Sequence, residues 1–354
     1  MTEAPSAPAP RIRERGRPPT DAPCYAALDL GTNNCRLLIA TPAGGGFRIV
    51  DAYSRIVRLG EGLSQTGRLS DAAMERALSA LSICADKIRR RGAIKVKAIA
   101  TQACRAAANG PDFIAAVTER TGLRLDIISP KEEARLAVAG CLNLLDRDTE
   151  AALVLDVGGG STELSWVDMA GAQEPGKTPP IRAWVSIPIG VVTLAERFPE
   201  VDGGEIWFRA MVEAMKSEIA AFTHAEPLRP IFERGGGHLV GTSGAITSLA
   251  GLHLRLTKYD RSKVDGLWMT RGECEAVSNR LAALSQTDRA KEPCIGPDRA
   301  DLVLAGAAIL QAVQESWPCE RVRVADRGLR EGLLMSLMSD ERRRKRRRRR
   351  GRRG

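Results

Sequence analysis

The chain has 354 residues, 44% of them hydrophobic, enough for two domains with their own cores. Its formal net charge is +10, but residues 342–353 hold eleven basic side chains, so the rest stands at −1 and a uniformly basic nucleic-acid-binding body is excluded. Eight scattered Cys without CxxC spacing and three His without a His-Asp doublet argue against a disulfide framework, a zinc site and a histidine metal centre, and no apolar run reaches the roughly 18 residues of a membrane span.

The first 22 residues are rich in Pro and Arg and lack the apolar segment of a signal peptide; they read as a disordered tail, and the protein as cytoplasmic. From Cys24 to Ala40 the pattern is strand, Gly-Thr-Asn-Asn turn, strand, followed by a third strand over Phe47 to Tyr53. Apolar residues at helical spacing after Ser70-Asp71 predict a helix over Ala72 to Arg90. A buried-type strand at Ile94 to Ala100, a helix at Pro111 to Thr121 and a strand at Leu125 to Ile128 follow, and Pro130 opens a helix running to about Leu145. Ala151 to Val167 then repeats the opening arrangement: strand, glycine turn, strand, with Asp156 closing the first strand as Asp29 does earlier. Further on come a helix at Glu205 to Phe222, a strand at His238 to Gly241, a helix from Gly244, and a helix near Ala300 to Glu315. A strand at Arg321 to Ala325 and a final helix near Leu329 to Met338 complete the body. Interleaved strands and helices make the class α/β.

The two Asp-x-Gly turns carry the chemistry. A glycine turn after a buried strand presents unpaired backbone N–H groups that bind phosphate oxygens, and an Asp at the strand end is a hard oxygen ligand suited to Mg²⁺. One such turn is common in α/β proteins. Two in duplicated context, with a third at Gly241-Thr242-Ser243-Gly244 before a helix, point to a phosphate site.

The segments ALDLGTNNCRLLIA, VLDVGGGSTELSWV and LVGTSGAITSLA resemble the phosphate motifs and following glycine motif of the superfamily that holds acetate and sugar kinases, chaperone ATPases and actin. RIVRLGEGL (55–63), AIATQACRAAANG (98–110), IISPKEEARLA (127–137) and VADRGLREGLL (324–334) are similar to stretches of exopolyphosphatases and guanosine-pentaphosphate phosphohydrolases. That resemblance covers about residues 24 to 338. It implies two ribonuclease-H-like lobes with an interlobe cleft: 23–137 regaining 327–340, then 138–326, with 341–354 a disordered basic tail. It also implies a Mg²⁺-dependent phosphohydrolase acting on polyphosphate or pppGpp. In that reading Asp29 and Asp156 hold the metal and Glu163 orients its shell. Gly31, Thr32, Asn33, Gly158, Gly159, Gly160 and Ser161 cradle phosphates, with Gly241, Ser243 and Gly244 of the third turn counted among them. Arg36 and Arg105 clamp charge, and Glu133 activates water.

Acids in a helix's first turn favour the macrodipole in any case, and neighbours lie about 100° apart, so only one of Glu132 and Glu133 can face a cleft. Family members usually carry Gly-Ser-Asn-Ser at the first turn; Asn34 here replaces a hydroxyl by an amide, which puts that side chain's own phosphate contact in doubt. Asp326 and Arg330 either support the cleft or pack the last helix against the first lobe, and packing is the favoured reading. With no His-Asp doublet near its end, the chain resembles the short, two-domain members, leaving a homodimer open. An ATP-dependent kinase or ATPase, and an RNA-associated protein acting through the Arg-rich tail, are the competing classes.

Overall fold

The computed structural model describes residues 22–44, 46–169, 179–200 and 204–350, from residue 340 on by backbone alone. The expectation for the Pro-rich start therefore lies outside the described residues, as does that for residues 351–354. Among the described residues, eleven strands form two sheets. β1 (Cys24–Leu30), β2 (Asn34–Ala43), β3 (Gly46–Ile56), β4 (Ala93–Ala100) and β5 (Leu125–Ile127) assemble in the order β3-β2-β1-β4-β5. β6 (Ala151–Val157), β7 (Thr162–Asp168), β8 (Ile181–Ile187), β9 (Gly237–Thr242), β10 (Trp268–Thr270) and β11 (Arg321–Ala325) assemble as β8-β7-β6-β9-β11-β10.

The second sheet repeats the first. In each, the first three strands pair antiparallel and the first strand pairs parallel with the fourth. β1 and β6 are covered on both faces, which is why they read as near-continuous apolar runs broken only by Asp29 and Asp156. β8 was not foreseen; its charged and aromatic residues give a weaker alternation than β6 or β7.

On one face of the first sheet, Leu28 and Leu37 pack with Leu78 and Leu81 of the Asp71–Arg90 helix and Phe113 of the Gly110–Thr121 helix. On the other, Tyr25, Leu38 and Ile99 meet Leu136 of the Pro130–Cys141 helix and Leu333 and Leu334 of the last helix. The Pro130 helix also sends Val138 and Cys141 into the core of the second sheet, with Val154 and Val240, so it is wedged between the lobes. It crosses the last helix backbone to backbone: a Cβ on Gly140 would overlap the Gly328 carbonyl, and one on Gly332 the Leu136 carbonyl. The main core lies on the far face of the second sheet, around Leu153, Trp166, Met211, Ile309 and Trp317.

Two expectations change. The Pro130 helix stops at Cys141 and passes into a 3₁₀ turn over Leu142–Leu144. The last helix spans Leu329–Arg350, so helical backbone runs through residues expected to be disordered from 341. Arg and Lys are good helix formers, and each added residue extends a helix already nucleated and anchored by Leu333 and Leu334. Among the described residues, no helix is long and apolar enough to cross a membrane.

Candidate active site

The two glycine turns face each other across the lobes. Each is closed by the same bond: Gly31 N–H donates to the Asn34 carbonyl and Gly158 N–H to the Ser161 carbonyl, both at 2.9 Å. They touch so closely that a Cβ on Gly159 would sit 2.9 Å from Thr32 Cβ, and one on Gly160 2.9 Å from Thr32 Oγ1. The RIVRLGEGL segment backs the first turn: Val57 N–H and Gly60 N–H donate to the Asn33 and Thr32 carbonyls at 2.8 and 2.9 Å. Behind the second turn, the amides of Val191 and Val192 donate to the Gly158 and Gly159 carbonyls. The amides of Thr32, Asn33, Gly159 and Gly160 have no acceptor among the described residues. Of the foreseen cradle, the Gly31 and Gly158 amides are spent on closing the turns.

A cleft of about 420 Å³ opens at these turns, lined by Asp29, Arg36, Glu133 and Asp156 among others. Asp29 stands opposite Arg36 in the β1–β2 register, and Asp156 opposite Glu163 in the β6–β7 register. Like charges directly opposite on a sheet repel. The enclosing protein raises all four acids. Burial, then the charges of Glu163 and Asp29, push Asp156 up to about 8. Burial and then Glu163 push Glu133 up to about 9, against the opposing pull of Arg105. Burial also raises Asp29 and Glu163. Asp29 Oδ1 and Asn33 Oδ1 are buried without a hydrogen-bond partner.

These donors fit a hard divalent cation: an orphaned carboxylate oxygen, surplus negative charge and oxygen ligands only. No group of three or more His, Cys, Asp or Glu among the described residues is placed to hold a metal alone.

Glu133 is buried at 7% exposure and lines the cleft, while Glu132 points outward and pairs with Arg135 at 2.7 Å. Ser129 caps this helix by accepting from Glu132 N–H at 3.2 Å, which fixes the register. Thr32, Asn33, Ser161, Ser243 and Gly244 all reach the cleft wall. Three foreseen residues do not. Arg105 turns instead to Glu133 Oε2 at 3.3 Å, Gln102 Oε1 at 2.7 Å and the Ile128 carbonyl at 2.7 Å, so its guanidinium holds the acid rather than the cleft. Glu163 lies behind Ser161 and accepts from Ser186 Oγ at 2.7 Å. Gly241 belongs to β9, where a Cβ would stand 2.8 Å from Ile246 Cδ1; it is required for helix-on-strand packing.

Arg330 and Asp326, read from the sequence as packing residues, line the cleft instead. Burial and the neighbouring Arg36 lower the pKa of Arg330, so two guanidiniums are forced together where an anion would relieve them. Gln102 and Tyr259 also line the cleft. Gln102 lay inside a family-like segment; Tyr259, a lone aromatic in a loop whose hydroxyl is engaged by Asp326 and Thr247, gave no sequence signal.

Duplicated sheets closing on paired glycine turns define a two-lobed protein of the actin-like fold. The model of the Ppx/GppA phosphatase family matches residues 38–341. Exopolyphosphatase 2 of Mycobacterium tuberculosis is 29% identical over 326 residues, covering 88% of this chain and 98% of that protein. The crystal structure of the Aquifex aeolicus Ppx/GppA family member superposes with a TM-score of 0.72 at 30% identity, covering 90% of this chain and 98% of that one. An exopolyphosphatase from Cytophaga hutchinsonii shares the fold at a TM-score of 0.77 and 22% identity, covering 90% of this chain and 98% of that one. The chain belongs to the Ppx/GppA phosphatase family, and thus to the hydrolases of phosphoanhydride bonds.

Proposed function

We propose that this protein is a Mg²⁺-dependent exophosphatase that releases terminal orthophosphate from inorganic polyphosphate, with conversion of pppGpp to ppGpp as the same reaction on a second substrate. The observation that carries the reading is the set of four enclosed carboxylates beside two glycine turns with unengaged amides. The likeness to exopolyphosphatase 2 of M. tuberculosis supports polyphosphate as the substrate.

Asp29 and Asp156 would hold the cation, and Glu163, fixed by Ser186, would orient its shell. When bound, Mg²⁺ neutralises phosphate charge and draws these carboxylates back to their ionised forms. The amides of Thr32, Asn33, Gly159 and Gly160 receive the terminal phosphate, and Arg36 and Arg330 balance charge on the bridging oxygens. Glu133 accepts the proton of the water that attacks in line with the departing chain. Arg105 is a positioning residue, aiming Glu133 Oε2 through its 3.3 Å contact. The helical Arg-rich extension acts as a cationic arm that concentrates polyanionic substrate.

Purified protein with Mg²⁺, given long polyphosphate, pppGpp and ATP separately, should release phosphate from the first two. Turnover of ATP alone would move the assignment to the kinases and ATPases of the same fold. Absence of turnover on all three, with polyanion binding through the basic segment, would leave an RNA-associated protein.

A further inference from the structure

The cleft does not end at Arg36. A second cavity of about 620 Å³ opens between the lobes, bounded by the end of β3 and the segment Ile295 to Arg299. Ser54 and Arg299 belong to the walls of both cavities. β3 is the edge strand of the first sheet, and its Ser54 stands opposite Arg36 on β2. A linear substrate held by one end near Arg36 therefore leaves past Ser54, over the free sheet edge, with Arg299 of the other lobe facing it.

The charged wall of the outer cavity is almost all guanidinium: Arg55, Arg58, Arg76 and Arg299, against Asp298. Two of these are structural. Arg58 bridges the lobes to Asp301 through contacts of 2.7 and 3.1 Å, which sets the width of the opening. Arg76 is bonded to the Val57 and Arg58 carbonyls and to Glu61. Arg55 and Arg299 have no side-chain hydrogen-bond or ion-pair partner among the described residues. They stand on opposite lobes, with the cavity between them.

We propose that the second cavity is an outer phosphate subsite, in which Arg55 and Arg299 hold internal phosphates of a polyphosphate chain whose terminal phosphate lies at the glycine turns. It rests on the polyphosphate reading above and makes Arg55 a determinant of chain length. A three-phosphate substrate is held at the turns and Arg36; a long chain reaches Arg55 as well. Losing one charge-assisted contact costs about tenfold in affinity, and reversing the charge costs more.

Arg55 lines only the outer cavity and is exposed, so Arg55→Glu tests the site directly. The KM for long polyphosphate, divided by that for tripolyphosphate, should rise at least tenfold, with Arg55→Lys in between. Titration calorimetry of both polymers, with Glu133→Gln as background to prevent turnover, should show the length dependence of affinity shrinking by the same factor in Arg55→Glu. An equal change at both lengths, or none, overturns the outer subsite. Wild-type protein that binds long chains through Arg55 yet releases phosphate from no length would instead overturn the exophosphatase reading. Unaltered melting of Arg55→Glu separates either outcome from misfolding.

Discussion

Replacing Glu133 by Gln should make the metal-free protein more stable while removing its activity. Glu133 rises from an ordinary 4.5 to about 9 in the fold. The unfolded chain therefore releases a proton that the folded chain retains throughout that interval. The sign follows: with a folded pKa above the unfolded one, the Glu133 penalty is absent below about pH 4.5 and grows as pH rises towards 9. At pH 7 it amounts to about 3 kcal/mol, from about 1.4 kcal/mol per pH unit. Gln is nearly isosteric and carries no such penalty, and Arg105 keeps its bonds to Ile128 and Gln102. At about 2 °C per kcal/mol for a protein of this size, Glu133→Gln should melt about 6 °C higher at pH 7 in EDTA. The gain should vanish near pH 4.5 and increase to pH 9. Phosphate release with Mg²⁺ should meanwhile fall by about 10²–10⁴. Glu132→Gln is the comparator: it loses only an exposed pair with Arg135, worth at most about 1 kcal/mol, and should keep most activity. A pH-independent difference in melting, or a dead Glu132→Gln beside an active Glu133→Gln, would refute the placement of Glu133.

Excess EDTA should abolish phosphate release and Mg²⁺ should restore it; turnover by metal-free protein would remove the cation from the mechanism. Gly159→Ala puts a methyl 2.9 Å from Thr32 Cβ and 3.0 Å from Asn33 N, prying the turns apart. It should cost about 1–3 kcal/mol of stability and raise KM, as read by thermal melts and initial rates. Deleting residues 342–354 should raise KM on long polyphosphate mainly at low ionic strength while sparing kcat; identical salt slopes would rule out substrate capture by the basic segment.

The duplicated turns were legible because an Asp and a glycine run interrupt otherwise apolar strands, a break that burial on both faces makes conspicuous. That only one of Glu132 and Glu133 can face the cleft was legible from the 100° offset, whereas the choice of Glu133 came from the family resemblance alone. Arg105 was assigned to phosphate and Glu163 to the metal shell on residue type, which does not fix side-chain direction. Arg105 is drawn to the buried acid beside it, and Glu163 to the hydroxyl of Ser186 on a strand that was not foreseen. Arg330 escaped for the converse reason. A cation in the first turn of a helix opposes the dipole and looks structural, yet the return of that turn to the cleft depends on contacts some 300 residues apart, as between Tyr25 and Leu333.

Those distant contacts bear on how the protein is made. Tyr25, Ala27, Leu38 and Ile99 wait for Leu333 and Leu334 to cover them. At 5–20 residues per second, a ribosome needs on the order of 15–60 s to travel from one set to the other. During that interval the first lobe has a bare apolar face, whereas the second is translated as one contiguous stretch and can condense as it emerges. The nascent chain should engage holding chaperones through its first hundred residues, and chains released without residues 329–354 should display a protease-sensitive first lobe beside a protected second.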